Sequence, residues 1–272
     1  MKLIKNEINI GIKNPFTVLQ VTDTHLVRYS TEDDARKAFC ASREGLDTLD
    51  ELMLAKEYAE KNGCQLVHTG DLLDFITPDG LEIAKTLAKD TGMLFIAGNH
   101  EQCYCPENRF CPTDYAEELK VREKTLDHLQ KHFENDVRFF RKEINGVILV
   151  GIDDGDYQIT RAQLCALREV VKEGKPIILF THIPLYSEEL YKVTSNDMLG
   201  TPAEGMREYD LWQIYEQAAS PSTVEAYDYI VSCPLIKAVV CGHMHFDLDS
   251  RLPSGIPQLI TDRQTMREIT VK

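Results

Sequence analysis

The chain has 272 residues, 43% hydrophobic and 27% charged, the balance of a soluble globular protein long enough to bury a sizeable core. A formal net charge of −14 argues against a protein that coats nucleic acid through a broad basic surface. No apolar run approaches the roughly 20 residues that span a bilayer.

Residues 1–16 have the mixed polarity of a first strand or hairpin and lack the sustained apolar segment of a secretory leader. Phe16–Val21 alternates and then turns apolar, which predicts a buried strand ending just before Asp23 and His25. Ser42–Lys61 reads as a helix, with Leu46, Leu49, Leu52, Met53 and Tyr58 on its core face and Gly63 as its stop. Cys64–Thr69 is the next short strand and delivers Gly70 and Asp71. A helix near Leu81–Lys89 leads to a strand over Met93–Ala97, which delivers Asn99 and His100. Strand, loop and helix thus repeat as in a βαβ series, whose functional side chains gather at the carboxyl ends of the strands.

A charged amphipathic helix is predicted between Asp114 and Phe133, with His128 and His132 four residues apart on an exposed face. Val137–Ile144 and Val147–Ile152 flank Asn145-Gly146, a type I′ hairpin signal that predicts a change to antiparallel pairing. Thr160 and Gln163 read as a capping box opening a helix that ends at Gly174. Pro176–Phe180 and Leu235–Cys241 are apolar strands that deliver His182 and His243. Between them, residues 187–234 break the rhythm with turn formers and the aromatics Tyr191, Tyr209, Trp212 and Tyr215. This insertion could overhang the pocket as a lid, or simply pack on the surface. The tail from Phe246 reads as short strands broken by Pro253, Gly255 and Pro257, and no internal repeat is evident. The whole is read as a single domain, residues 1–272. Eight cysteines scattered through the elements are expected to be reduced, which with the start of the chain predicts a cytoplasmic location.

Five blocks stand in order at the strand exits: Asp23-Thr-His25, Gly70-Asp71-Leu-Leu-Asp74, Gly98-Asn99-His100-Glu101, Thr181-His182-Ile-Pro184 and Gly242-His243-Met-His245. Singly they are weak, since Asp-x-His is usually ordinary polarity and Gly-Asp is ordinary turn chemistry. Together they place nitrogen and oxygen donors of hard-to-borderline type where separate segments converge, which describes a site for two metal ions. His243 and His245, two apart in an extended segment, share one face and can approach neighbouring ions.

In these blocks the chain resembles the calcineurin-like metallophosphoesterase superfamily, and most closely its bacterial cyclic-nucleotide phosphodiesterase-like branch. The resemblance implies an α/β fold, a four-layer αββα sandwich of two mixed β-sheets flanked by helices with a dinuclear metal site at one edge. It implies that Asp23, His25 and His245 hold one metal, that Asn99, His182 and His243 hold the other, and that Asp71 bridges both. It places His100 against the phosphate or the departing oxygen as a donor or general acid, with Asp74 orienting it; the other reading of Asp74 is a satisfied turn carboxylate.

Physical reasoning supports a bridging anion. Two dications about 3.5 Å apart repel by about 19 kcal/mol at an effective dielectric of 20, so a shared carboxylate and a hydroxide are needed between them. Such ions lower the pKa of bound water toward roughly 7, hold phosphate oxygens and direct in-line attack at phosphorus. The mixed ligands fit Mn²⁺, Fe or Zn²⁺ without separating them. Asp rather than Tyr at position 74, Phe75 after it, and the Thr-His-Ile-Pro block depart from the purple acid and protein phosphatase branches. The expected substrate is a small phosphodiester or phosphomonoester, a nucleotide among the candidates, with no membrane partner and extended nucleic acid disfavoured. Two rivals stand: a metallonuclease acting on oligonucleotides, and a non-catalytic scaffold that kept the fold. Oligomeric state is not legible.

Five further residues invite suspicion. Cys103, Cys105 and Cys111 follow the Asn99-His100 loop and are read as loop thiols, because a closed site needs a fourth ligand. Arg109 could clamp a phosphate but is more simply a solvated loop arginine. His68, inside a strand, is read as a core histidine that supports the site rather than a ligand.

Overall fold

A computed structural model describes residues 1–26, 48–74, 76–102, 115–197 and 219–272. Its strands are β1 (Lys2–Ile8), β2 (Phe16–Val21), β3 (Gln65–His68), β4 (Leu94–Phe95), β5 (Phe139–Ile144), β6 (Val147–Ile152), β7 (Ile177–Thr181), β8 (Ile236–Cys241), β9 (Leu248–Arg251), β10 (Pro257–Ile260) and β11 (Thr265–Val271). Its helices are α1 (Thr48–Asn62), α2 (Pro78–Thr91), α3 (Tyr115–Gln130), α4 (Arg161–Val171), α5 (Glu188–Asp197) and α6 (Pro221–Ser232).

The strands form two mixed sheets, ordered β1-β11-β2-β3-β4 and β5-β6-β7-β8-β10-β9. In the first, β2, β3 and β4 run parallel; in the second, β6, β7, β8 and β10 do. The strand period of two sorts side chains into layers. Ile178 and Phe180 of β7 join Val18, Val67 and Ile269 of the first sheet in the core between the sheets. Ile177 and Leu179 face outward onto α4 and α6 instead. On the far side of the first sheet, Leu19 and Val21 meet Leu52 of α1, Leu81 of α2 and Leu126 of α3. The result is the four-layer αββα sandwich, and truncating a fully buried leucine such as Leu149 to alanine would cost about 2–5 kcal/mol.

Local sequence sets the element ends. Thr77 caps α2 through its hydroxyl, Gly92 closes the helix at φ 61°, and the Thr160–Gln163 capping box is formed at α4. Asn145 and Gly146 both have positive φ, as a type I′ turn requires.

Two expectations need correction. The β5–β6 hairpin is antiparallel as expected, but it opens a second sheet rather than continuing the first, and that sheet runs on parallel from β6. The tail holds the expected short strands β9 and β10 but ends in a longer one: β11 spans seven residues and pairs with both β1 and β2, tying the two chain ends together. His128 and His132 are half-buried, with ring centroids 5.2 Å apart. Among the described residues, no helix is long and apolar enough to cross a membrane. The four described cysteines, Cys64, Cys165, Cys233 and Cys241, are free thiols.

Candidate metal centre

Because β2, β3 and β4 of one sheet and β7 and β8 of the other end at the same edge, the five loops meet there. Asp23, His25, Asp71, His243 and His245 all take positive φ, between 45° and 67°. Each such turn at a residue with a Cβ costs about 1–2 kcal/mol, strain of the kind that collects where side chains must be aimed at a site. Among the described non-glycine residues, Asn145 and Tyr157 are the others with positive φ.

Two glycines explain why the sheets can approach so closely. A Cβ on Gly98 would stand 2.3 Å from Asp71 Oδ1 and 3.0 Å from His182 Nε2, and one on Gly242 would stand 1.9 Å from Thr22 Oγ1 and 2.4 Å from Asp23 Oδ2. The missing side chains leave the space that the ligands of other strands occupy.

All seven expected ligands come together. On one side, His25 Nε2 and His245 Nε2 lie 3.1 Å apart, and Asp23 Oδ1 is 3.3 Å from His245 Nε2. On the other, Asn99 Oδ1 is 2.9 Å from His182 Nε2 and 3.0 Å from His243 Nδ1. Asp71 Oδ2 sits between the groups, 3.4 Å from His182 Nε2 and 3.8 Å from His25 Nε2. Two donors each about 2.1 Å from one ion stand about 3.0–3.4 Å apart at angles between 90° and tetrahedral, so all but the 3.8 Å separation are close to ion-coordination spacings. Asp23 Oδ1 is buried without a hydrogen-bond partner, although Oδ2 accepts from Thr22 Oγ1 and from the His243 N–H at 2.5 and 2.8 Å. One oxygen is thus held by the protein and the other is left for a cation.

The electrostatics agree. Burial disfavours a charged imidazole at His182, yet the charges of Asp71 and Asp23 outweigh it and raise that histidine to about 10. The pocket therefore draws positive charge, a proton where no larger cation is held. At His243, burial and then the charge of His182 push the imidazole down to about 3. Despite burial, Asp23 and Asp71 are held below the usual carboxylate range by His182. The His182 Nδ1 donates to the Thr69 carbonyl at 2.8 Å, which turns Nε2 toward Asn99 and Asp71.

His100 and Asp74 are beside this cluster. His100 Nδ1 lies 2.9 Å from Asp74 Oδ1, and Nε2 points inward, 4.0 Å from Asp71 Oδ2. Burial opposes its charge, but Asp71 and the bond to Asp74 raise His100 to about 9. Asp74 Oδ1 is also 3.3 Å from His25 Nδ1, so one carboxylate stands beside both a candidate ligand and the candidate acid.

Several supporting residues carry no role in the sequence reading. Glu101 is fully buried and accepts from the N–H groups of Asp71, Gly98 and Leu73 at 2.9, 2.7 and 2.8 Å, clamping two ligand loops together. Burial, then the charge of Asp71, pushes it up to about 8. Asp154 Oδ1 accepts from the N–H groups of His182 and Ile183, and its neighbour Asp153 pairs with the buried Arg122 at 2.5 Å. The Tyr157 ring meets His243 edge-on, with centroids 5.7 Å apart. Glu101 was legible as part of the Gly98–Glu101 block; Asp154 and Tyr157 follow the exit of β6, which carries no ligand to mark it. His68 is buried, with Nε2 3.0 Å from Thr24 Oγ1 and its pKa lowered by burial to about 3, consistent with a core histidine. Cys103, Cys105, Cys111, Arg109 and Phe75 lie outside the described residues, as do Tyr209, Trp212 and Tyr215.

The model of the calcineurin-like phosphoesterase family matches residues 16–247. In structure the chain is similar to a dimetal phosphatase from Danio rerio, with a TM-score of 0.53, 11% identity, and coverage of 92% of this chain and 88% of that one. It is also similar to a protein from Staphylococcus aureus described as a 5'-nucleotidase, with a TM-score of 0.50, 12% identity, and coverage of 94% of this chain and 51% of that one. At these identities the likeness shows the fold. No curated protein matches the sequence.

Proposed function

Because the chain belongs to the calcineurin-like phosphoesterase family, metal-dependent hydrolases of phosphoric esters, we propose that it cleaves a small phosphodiester or phosphomonoester, a nucleotide included. The observation that carries this reading is the position of Asp71 Oδ2, within 4 Å of histidine nitrogens on both sides of the pocket. Asp23, His25 and His245 would hold one divalent ion, Asn99, His182 and His243 the second, and Asp71 would bridge them. Bound there, two ions of the manganese, iron or zinc type would stabilise charge on the phosphoryl oxygens and supply hydroxide near neutral pH.

The remaining chemistry belongs to the chain. His100, with Nδ1 held by Asp74, presents Nε2–H toward the pocket and can deliver a proton to the departing oxygen. Asp74 keeps that imidazole in one tautomer and favours its charged form. His245 is exposed at the mouth, where Asp262 lies close enough to interact with it electrostatically.

We read residues 1–272 as one domain. Within 187–234, Leu190 of α5 packs beside Met244 and Phe246 on the loop that carries His243 and His245, which supports a covering role there. In the same stretch α6 packs on the second sheet through Ala226 and Ile230, and residues 198–218 lie outside the described residues. The free thiols favour a reducing, cytoplasmic location.

The test is turnover of bis-p-nitrophenyl phosphate, p-nitrophenyl phosphate and cyclic nucleotides with and without Mn²⁺. Metal-dependent hydrolysis of at least one, abolished by Asp71→Asn, is expected. Failure of the metal-replete chain on all of them would favour the scaffold reading instead.

A further inference from the structure

Away from the metal centre, at the opposite ends of β3 and β4, lies a pocket of about 420 Å³. Gln65 and Leu94, the first residues of those strands, stand beside it, whereas the ligand loops follow their last residues. Its wall carries Lys85 and Lys89 of α2, Lys131 after α3, Lys142 of β5 and His132, with Glu134 as the one acid. Lysine and arginine make up 30 of 272 residues in a chain of net charge −14, so a lining of this size would hold one or two by chance. Four have been brought together from three elements. The floor is apolar, formed by Met93, Leu94 and Phe133.

Stabilisation of helix ends does not account for this charge. The carboxyl ends of α2 and α3 both lie here, and one cation near each would be ordinary. Several carbonyls near those ends already have partners, however: Ala88 O accepts from the N–H groups of Gly92 and Met93, Leu87 O from Thr91 Oγ1, and Leu129 O from the His132 N–H. Lys85 stands a turn earlier and Lys142 on a strand. Among the described residues Lys85 pairs only with the exposed Glu82, at 3.2 Å, and Lys142 Nζ donates to the neutral Gln65 amide oxygen. Lys89 and Lys131 make no ion pair among the described residues. Burial first, and then the charge of Lys85, lowers the proton affinity of His132, with Glu82 partly offsetting it.

The geometry points to a second, anion-binding site in this pocket, which takes an organic molecule bearing two or more phosphate groups. Its anionic groups meet the four ammonium groups, and its carbon skeleton rests on Met93, Leu94 and Phe133. Several charges are needed because each exposed ammonium–anion contact contributes only about 0.2–1 kcal/mol. The site does not depend on the metal centre or on what is hydrolysed there.

The probe is 8-hydroxypyrene-1,3,6-trisulfonate, a flat fluorescent trianion whose sulfonates compete weakly for metal ions, titrated into the metal-loaded full chain. Saturable binding is expected, weakened about tenfold by Lys89→Glu with Lys131→Glu and by added salt, while hydrolysis of p-nitrophenyl phosphate esters is unchanged. The neutral pair Lys89→Gln and Lys131→Gln, a milder change to the fold, should give an intermediate loss. Two results would overturn the site: affinity unchanged in both double variants, whatever their Tm, or loss of binding in Asp71→Asn, which would place the probe at the metal centre.

Discussion

Asp74 Oδ1 lies 2.9 Å from His100 Nδ1, and the backbone carbonyl of the same aspartate lies 3.0 Å from that nitrogen. Two acceptors on one nitrogen fix the proton there and leave Nε2 to work in the pocket. His100→Ala should lower kcat by about 10²–10⁴-fold with both metals retained. Asp74→Asn should cost about 10–100-fold, because the same carboxylate also orients His25. Steady-state kinetics with metal analysis of each variant checks both; loss of the metals in His100→Ala would instead make that residue a ligand.

Glu101 offers acceptors to three backbone N–H groups from inside the protein. Glu101→Gln turns one acceptor into a donor that faces another donor, and should destabilise the chain by about 2–4 kcal/mol while loosening metal binding. Chemical denaturation measures the first effect and elemental analysis the second. An unchanged unfolding midpoint would show that the clamp carries no weight.

A methyl group on Gly98 or Gly242 would occupy the space of Asp71 or Asp23 oxygen atoms. Gly98→Ala and Gly242→Ala are therefore expected to lose metal and activity together, whereas Gly63→Ala, whose added Cβ meets nothing within 4 Å, pays only the strain of its positive φ. Metal content per chain separates the two outcomes.

In the metal-free chain His182 and His100 are raised to about 10 and about 9 from an ordinary value of 6.5. Their charged forms stabilise the fold fully below about pH 6.5, and that contribution is lost as pH rises through 9–10. The metal-free Tm should fall across that window. At pH 7 a ligand histidine must shed its proton to take a metal, so metal binding should release about one proton or more per chain. Calorimetry in buffers of different ionisation enthalpy measures this, and zero release would contradict the protonated state of His182.

Much of this was legible because local pattern and tertiary role coincide. The strand β2 was expected at the residues where it is found, and the candidate ligands stand within four residues of strand ends, where sequence order alone predicts convergence. The type I′ turn at Asn145-Gly146 and the Thr160–Gln163 cap rest on neighbouring residues and were readable for the same reason. What was not legible depends on distant partners. The pairing of Lys2 with Thr265 joins the two ends of the chain, and no local signal announces it. Whether β6 extends the first sheet or opens a second is decided by burial on both faces. Glu101 stands inside the Gly98–Glu101 block, but its clamping role is invisible until its three N–H partners are in place, and Asp154 supports His182 from another strand exit.

The most direct test is elemental analysis of chain purified without chelators and saturated with manganese, iron or zinc, alongside Asp71→Asn. Two ions per chain in the native sequence, with loss of at least one and of ester hydrolysis in the variant, is the predicted result. A native chain that holds none or one, or a variant that keeps two ions and full activity, would contradict a dinuclear centre bridged by Asp71.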